Sequence, residues 1–141
     1  MKLKVIKCEP HREAEVCYID DDLKSLQKAV GGLIEFVYPF DTDVCMMCNE
    51  EGKLIPLEFS RPILDDDNNI IDLIAGTCYI MGLTKDGGNR DLTNDEIAFY
   101  TKYFRYPIEV FRWVSTDGTI EDIIDFIPVN NEGRKMRAYG R

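Results

Sequence analysis

The chain predicts an α+β fold, a small mixed or mostly antiparallel sheet of five or six strands with two or three helices. Three observations carry that prediction. Short β-prone runs recur through the first 85 residues, set apart by turn residues. Two segments, after Asp20-Asp21-Asp22 and after Thr93, combine helix-cap chemistry with apolar residues at one-face spacing. Finally, the stretch from Gly31 to Gly82 alternates glycine-bearing turns with apolar runs, as in GGLIEFVYPF, CNEEGKL and DLIAGTCYIMGL.

Leu3 to Cys8 and Ala14 to Ile19 flank Glu9-Pro10-His11-Arg12-Glu13, whose proline and charges suit the turn of a hairpin. Asp20, Asp21 and Asp22 supply N-cap oxygens to a helix with Leu23, Leu26 and Val30 on one face, ended by Gly31-Gly32. Leu33 to Phe40 and Val44 to Cys48 form the next two strands, with Asp41-Thr42-Asp43 between them. Asn49 to Lys53 is a turn in which Gly52 suits a positive φ, and Pro56 and Pro62 make the following run irregular or an edge. Ile70 to Leu83 is expected to be the most buried strand region, with a bulge or close backbone approach at Gly76.

Asp86-Gly87-Gly88-Asn89 separates this core, residues 1–85, from an extension over 89–133 packed on the same domain. The extension is expected to be helix–strand–helix. Thr93-Asn94-Asp95-Glu96 fits a capping box before Ile97, Tyr100 and Phe104, and Pro107 stops that helix. Ile108 to Val114 is a strand, Asp117-Gly118 a turn, and Ile120, Ile123, Ile124 and Ile127 mark a short amphipathic helix closed by Pro128. Residues 134–141 form a basic tail expected to be flexible.

At 141 residues the chain suits one domain with one core. Hydrophobic residues make up 45% and charged residues 30%, a globular balance, and no apolar run approaches the roughly 18 residues of a membrane span. The first residues alternate charge with apolar side chains and lack the apolar centre of a secretory signal, so a cytoplasmic location is expected. The formal charge is −9, yet Arg134, Lys135, Arg137 and Arg141 all lie in the tail. Residues 1–133 therefore hold 13 basic and 26 acidic side chains, a balance of −13. Such a body repels the phosphate backbone and attracts basic protein surfaces.

Cys45 and Cys48 have the gap of a zinc or redox motif, but His11 is the one histidine and the other cysteines are isolated. A strand also places the two thiols on opposite faces, so core packing is the better account. Asp65, Asp67 and Asn69 resemble the start of a calcium loop, yet Ile70 and Gly76 stand where that loop needs Gly and Glu. No cofactor is implied. His11 is expected in an exposed turn, and the paired glycines lack the phosphate-loop lysine. Phe99, Tyr100, Tyr103, Phe104, Tyr106, Phe111 and Trp113 form a dense aromatic group interleaved with Lys102, Arg105 and Arg112. At helical spacing such aromatics suit a core or a protein interface before base stacking.

Gly31-Gly32, Val37-Tyr38-Pro39-Phe40, CNEEGKL from Cys48, Arg61, and the Ile74-Ala75-Gly76-Thr77 run with Asp72 and Gly82 resemble the family catalogued as domain of unknown function 3846, over roughly residues 2–85. The resemblance implies a bacteriophage or mobile-element context without a reaction. Family members carry an Asn-Arg pair where this chain has Ser60-Arg61, which puts any ligand role of that Asn in doubt here.

The expected function is that of a non-enzymatic accessory protein binding a host or mobile-element protein with a basic surface, as an acidic inhibitor of a nucleic-acid-binding or defence protein. A second reading is a small-ligand or catalytic domain with a polar pocket near Asn49, Arg61 and Asp72. A third is nucleic-acid binding through the basic tail and aromatics, which the acidic body disfavours. Asn49, Arg61, Asp72, Tyr103, Tyr106 and Trp113 are the candidate contact residues.

Overall fold

A computed structural model describes residues 2–52, 54 and 57–126. In chain order these form β1 (Lys2–Cys8), β2 (Glu15–Asp20), α1 (Leu23–Val30), β3 (Ile34–Val37), β4 (Val44–Asn49), β5 (Phe59–Leu64), β6 (Ile70–Ala75), β7 (Cys78–Leu83), β8 (Asn89–Arg90), α2 (Asn94–Tyr103), β9 (Ile108–Val114) and β10 (Ile120–Phe126). The fold is α+β, as the sequence predicts. Six strands make one antiparallel sheet in the order β2-β1-β7-β4-β3, with β8 also paired to β7. β5–β6 and β9–β10 are separate antiparallel hairpins.

The sheet is buried on both faces around its centre. Val44, Met46 and Cys48 of β4 point into one apolar cluster with Ile6, Ile80, Ile63, Tyr100 and Phe104, while Cys45 and Met47 point into the other with Leu26 and Val30. A run such as VCMMC, apolar at every position, is what a strand covered on both sides requires. The same alternation separates Cys45 from Cys48. Burial raises the Cys45 thiol to about 11, whereas Cys48 Sγ donates to the Glu35 carbonyl at 3.6 Å.

α1 follows its cap signals. Ser25 N–H donates to Asp22 Oδ1 at 2.9 Å, and Gly31 ends the helix in the left-handed region at φ 78°. Leu26 and Val30 are buried, but Leu23 is 65% exposed and does not join them. α2 carries the expected capping box between Thr93 and Glu96. Arg90 then grips the Glu96 carboxylate with two bonds, at 2.7 and 3.0 Å.

That grip, helped by the Thr93 N–H, draws the Glu96 carboxyl from 4.5 down to about 2. A carboxyl lowered on folding contributes stability above its unfolded value and loses it as pH falls through its folded one. Wild-type stability is therefore expected to drop between about pH 4.5 and about pH 2. In acid titrations followed by circular dichroism, Glu96→Gln should be less stable at neutral pH and show a flatter profile across that window.

Three expectations need correction. Ile120–Phe126 is strand β10, not a short helix: Gly118 N–H closes on the Ser115 carbonyl, with Gly118 at φ 86°, and Val114 pairs with Ile120. Its isoleucines fit either period, and an Asp-Gly turn between β-branched runs favours the hairpin. Ile70 to Leu83 is not one buried region. Gly76, at φ 81°, divides it into β6, exposed at Ile70 and Ile71, and the central strand β7. Gly52 does not take a positive φ. It is needed because a Cβ there would lie 2.8 Å from the Ala75 carbonyl oxygen.

Pro62 does sit in an irregular strand, since the β5–β6 register shifts on either side of it. Lys53, Pro56, Ile127, Pro128 and the tail 134–141 lie outside the described residues. Among the described residues, no helix is long and apolar enough to cross a membrane.

Candidate functional site

Asn49 and Asp72 line one cleft of about 130 Å³, together with Glu35, Glu50 and Gly52. The cleft is acidic and small against the roughly 300–1,000 Å³ of ordinary ligand sites. Within it Asn49 is already committed. Its Nδ2 donates to the Val30 carbonyl at 3.1 Å, and its Oδ1 accepts from Glu51 N–H at 2.8 Å. It ties the end of α1 to the turn after β4. Asp72 is exposed on β6 and its Oδ1 accepts from Leu73 N–H.

Arg61 does not join them. Its side chain is fully buried and its guanidinium turns to backbone carbonyls: Nε to Phe104 at 2.7 Å, Nη1 to Glu9 at 3.1 Å and Ser60 at 2.8 Å, Nη2 to Arg12 at 2.7 Å. Five N–H donors on a planar fork match such a convergence of acceptors. Arg61 thus pins β5 to the β1–β2 turn and to the end of α2. The polar pocket expected around Asn49, Arg61 and Asp72 loses its cation.

The aromatic group also divides. Tyr100 and Phe104 are core residues, and Phe40, Phe99 and Tyr103 pack against them with ring centroids 4.7–5.8 Å apart. Tyr103 remains 40% exposed, and Arg105 lies over the Tyr106 ring at 5.0 Å. Two of the three interleaved cations are engaged by acids, Arg105 with Glu13 at 2.7 Å and Arg112 with Asp122 at 3.2 Å. A basic groove lined by stacking rings is not what this arrangement offers.

Trp113 belongs to a different element. It stands on β9, 61% exposed, and the β9–β10 register places Phe111, Trp113 and Ile123 on one face with Glu109, Glu121 and Asp125. Trp113 is paired with Glu121, Phe111 with Ile123 and Glu109 with Asp125. The face is an apolar centre bordered by three acids. Glu109 also faces His11 Nδ1 at 3.9 Å. Val114 and Ile120 add exposed apolar area on the other face.

A two-stranded hairpin with so little of its apolar surface covered is unusual as a purely structural element. Ile123 and Glu121 share this face, and the sequence did not suggest them as candidates because their segment was expected to be helical. The Asp117-Gly118 signal was sufficient to find them.

The family model of the domain of unknown function DUF3846 matches residues 1–105. The match extends past the expected limit at residue 85 to take in α2, and it stops before the hairpin. Neither the curated proteins nor the solved structures contain a match.

Proposed function

We propose that this chain, which belongs to the family of the domain of unknown function DUF3846, works as a non-enzymatic accessory protein of a phage or mobile element by binding another protein. The contact element is the β9–β10 hairpin and its target is a basic surface. The observation that carries this reading is the acid-bordered face of Phe111, Trp113 and Ile123, exposed between 44% and 61%. Aromatic anchors surrounded by charge are the usual makeup of a protein contact. Residues 108–126 hold five acids and one base, so the hairpin shares the sign of the whole body. A positively charged partner is steered to such a surface, and one that normally holds nucleic acid would be blocked by it.

The small-ligand reading is weaker because Asn49 and Arg61 serve the fold and the cleft is shallow in volume. Affinity capture from a bacterial lysate, run in parallel with wild type and Trp113→Ala, tests the proposal. Capture of a basic protein is expected, with about 30-fold weaker affinity for the variant if Trp113 is an anchor. Trp113 is the sole tryptophan, so its emission reports directly and should shift to shorter wavelength on binding. Recovery of no partner together with a co-purifying metabolite would overturn the reading. So would tight binding of duplex DNA that weakens steeply with salt.

A further inference from the structure

All five cysteines are free, and the strand registers set only two of them face to face. Cys8 is the last residue of β1 and Cys78 the first of β7, and they are direct partners in the antiparallel ladder. Both are fully buried and point into the same apolar cluster as Ile6 and Ile80. The other thiols have different partners: Cys17 stands opposite Val5, Cys45 opposite Met81 and Cys48 opposite Glu35.

Opposed residues of an antiparallel pair have Cα atoms about 4.5–5.5 Å apart, inside the range a disulfide spans. The two side chains already meet, since the Cys8 and Cys78 thiols are hydrogen-bonded to each other. That bond draws the Cys8 thiol below its ordinary pKa, against the effect of burial and with help from the Arg61 guanidinium. The same bond, together with burial, raises Cys78. The shared proton therefore rests on Cys78, and Cys8 is the nucleophile of the pair. Ser60 Oγ adds a polar neighbour 3.9 Å from the Cys78 sulfur.

We propose that Cys8 and Cys78 form a redox latch, a dithiol that a small hydroperoxide converts into a cross-strand disulfide between β1 and β7. The inference is independent of the hairpin reading. The Cys8 thiolate attacks one peroxide oxygen, the O–O bond breaks, and Cys8 becomes a sulfenic acid while the leaving oxygen takes up the proton that Cys8 gave away. The Cys78 sulfur then attacks the Cys8 sulfur, the S–O bond breaks, and water departs with the Cys78 proton. The sulfurs are oxidised by two electrons and the peroxide is reduced by two. Hydrogen peroxide and two thiols thus give one disulfide and two waters.

Burial does not seal the pair, because this rung stands at an end of the ladder. The β1–β2 register stops at Lys7 and the β4–β7 register at Tyr79, so no third strand holds it. Beyond Cys8 the chain enters the turn containing His11, at φ 64°, and it reaches Cys78 from Gly76, at φ 81°. A terminal rung opens locally while the rest of the sheet holds. Oxidation removes that freedom: the bond closes a loop of about seventy residues and fixes the first strand to a central one.

Hydrogen peroxide applied to the full chain carrying Cys17→Ser tests this, since Cys17 is the one thiol that is not buried. The intact mass should fall by about 2 Da, the two hydrogens lost on forming a disulfide, and non-reducing peptide mapping should join the Cys8 and Cys78 peptides. The urea midpoint should rise by about 2 M and return with dithiothreitol. Mapping needs no variant of the pair, so it decides the matter even where Cys8→Ser or Cys78→Ser fails to fold. Where they fold, both should lose the mass change and the midpoint shift. Sulfinic acid at Cys8 without a link, a link through Cys45 or Cys48, or a link that forms only after urea has unfolded the chain overturns the proposal. So does a pair left reduced at peroxide concentrations that oxidise Cys17 in wild type.

Discussion

Arg61→Ala is expected to cost about 3–5 kcal/mol of stability, the usual effect of dismantling a buried charged hydrogen-bond set. The residue is wholly buried, and its guanidinium serves the carbonyls of Phe104, Glu9, Ser60 and Arg12. Truncation removes all four bonds, leaves the Glu9 carbonyl only the Arg12 N–H at 3.4 Å, and opens a cavity beside Phe104. With a total stability of about 5–15 kcal/mol for a domain, a melting temperature lower by about 10 °C or more follows. Arg61→Lys should recover little. One ammonium has three donors and no fork, so it cannot span carbonyls from three separate segments. A melt within a degree or two of wild type for Arg61→Ala would overturn the structural role.

Asn49→Ala has the next largest expected effect, about 2–3 kcal/mol. Its amide joins the Val30 carbonyl to the Glu51 N–H. Gly32 gives an independent check on the same bracket. A Cβ at Gly32 would lie 2.9 Å from Asn49 Nδ2, so Gly32→Ala should displace that amide and destabilise in the same direction. Urea denaturation of the two single variants and the double variant settles the point. If the bracket is one unit, the double variant loses less than the two singles combined.

These two residues explain where sequence reasoning stopped. A polar side chain within apolar runs signals either a site or an interior bond, and the choice depends on which distant carbonyls surround it. Arg61 meets Phe104 only because β5 packs near the end of α2, a contact across 43 positions. No local pattern encodes that. What local chemistry does encode was legible: the Asp22 and Thr93 caps, the Gly31 stop, and the opposed thiols of β4. Ile120–Phe126 failed for a different reason, since its isoleucines satisfy both periods and only the pairing with β9 distinguishes them. Trp113 was identified by residue type, but its surface depended on that same pairing.

The position of β7 between β1 and β4 has a consequence for how the chain is made. β1 is synthesised well before β7, its inner neighbour, and the pairing of Ile6 with Ile80 waits for residues that emerge more than seventy positions later. Until then the β1–β2 hairpin and β4 present apolar faces to solvent, and loop closure over that length makes the step slow. The sheet therefore stays half-finished until Cys78–Leu83 has been made, and the arrival of that strand is the event that commits it to the native topology.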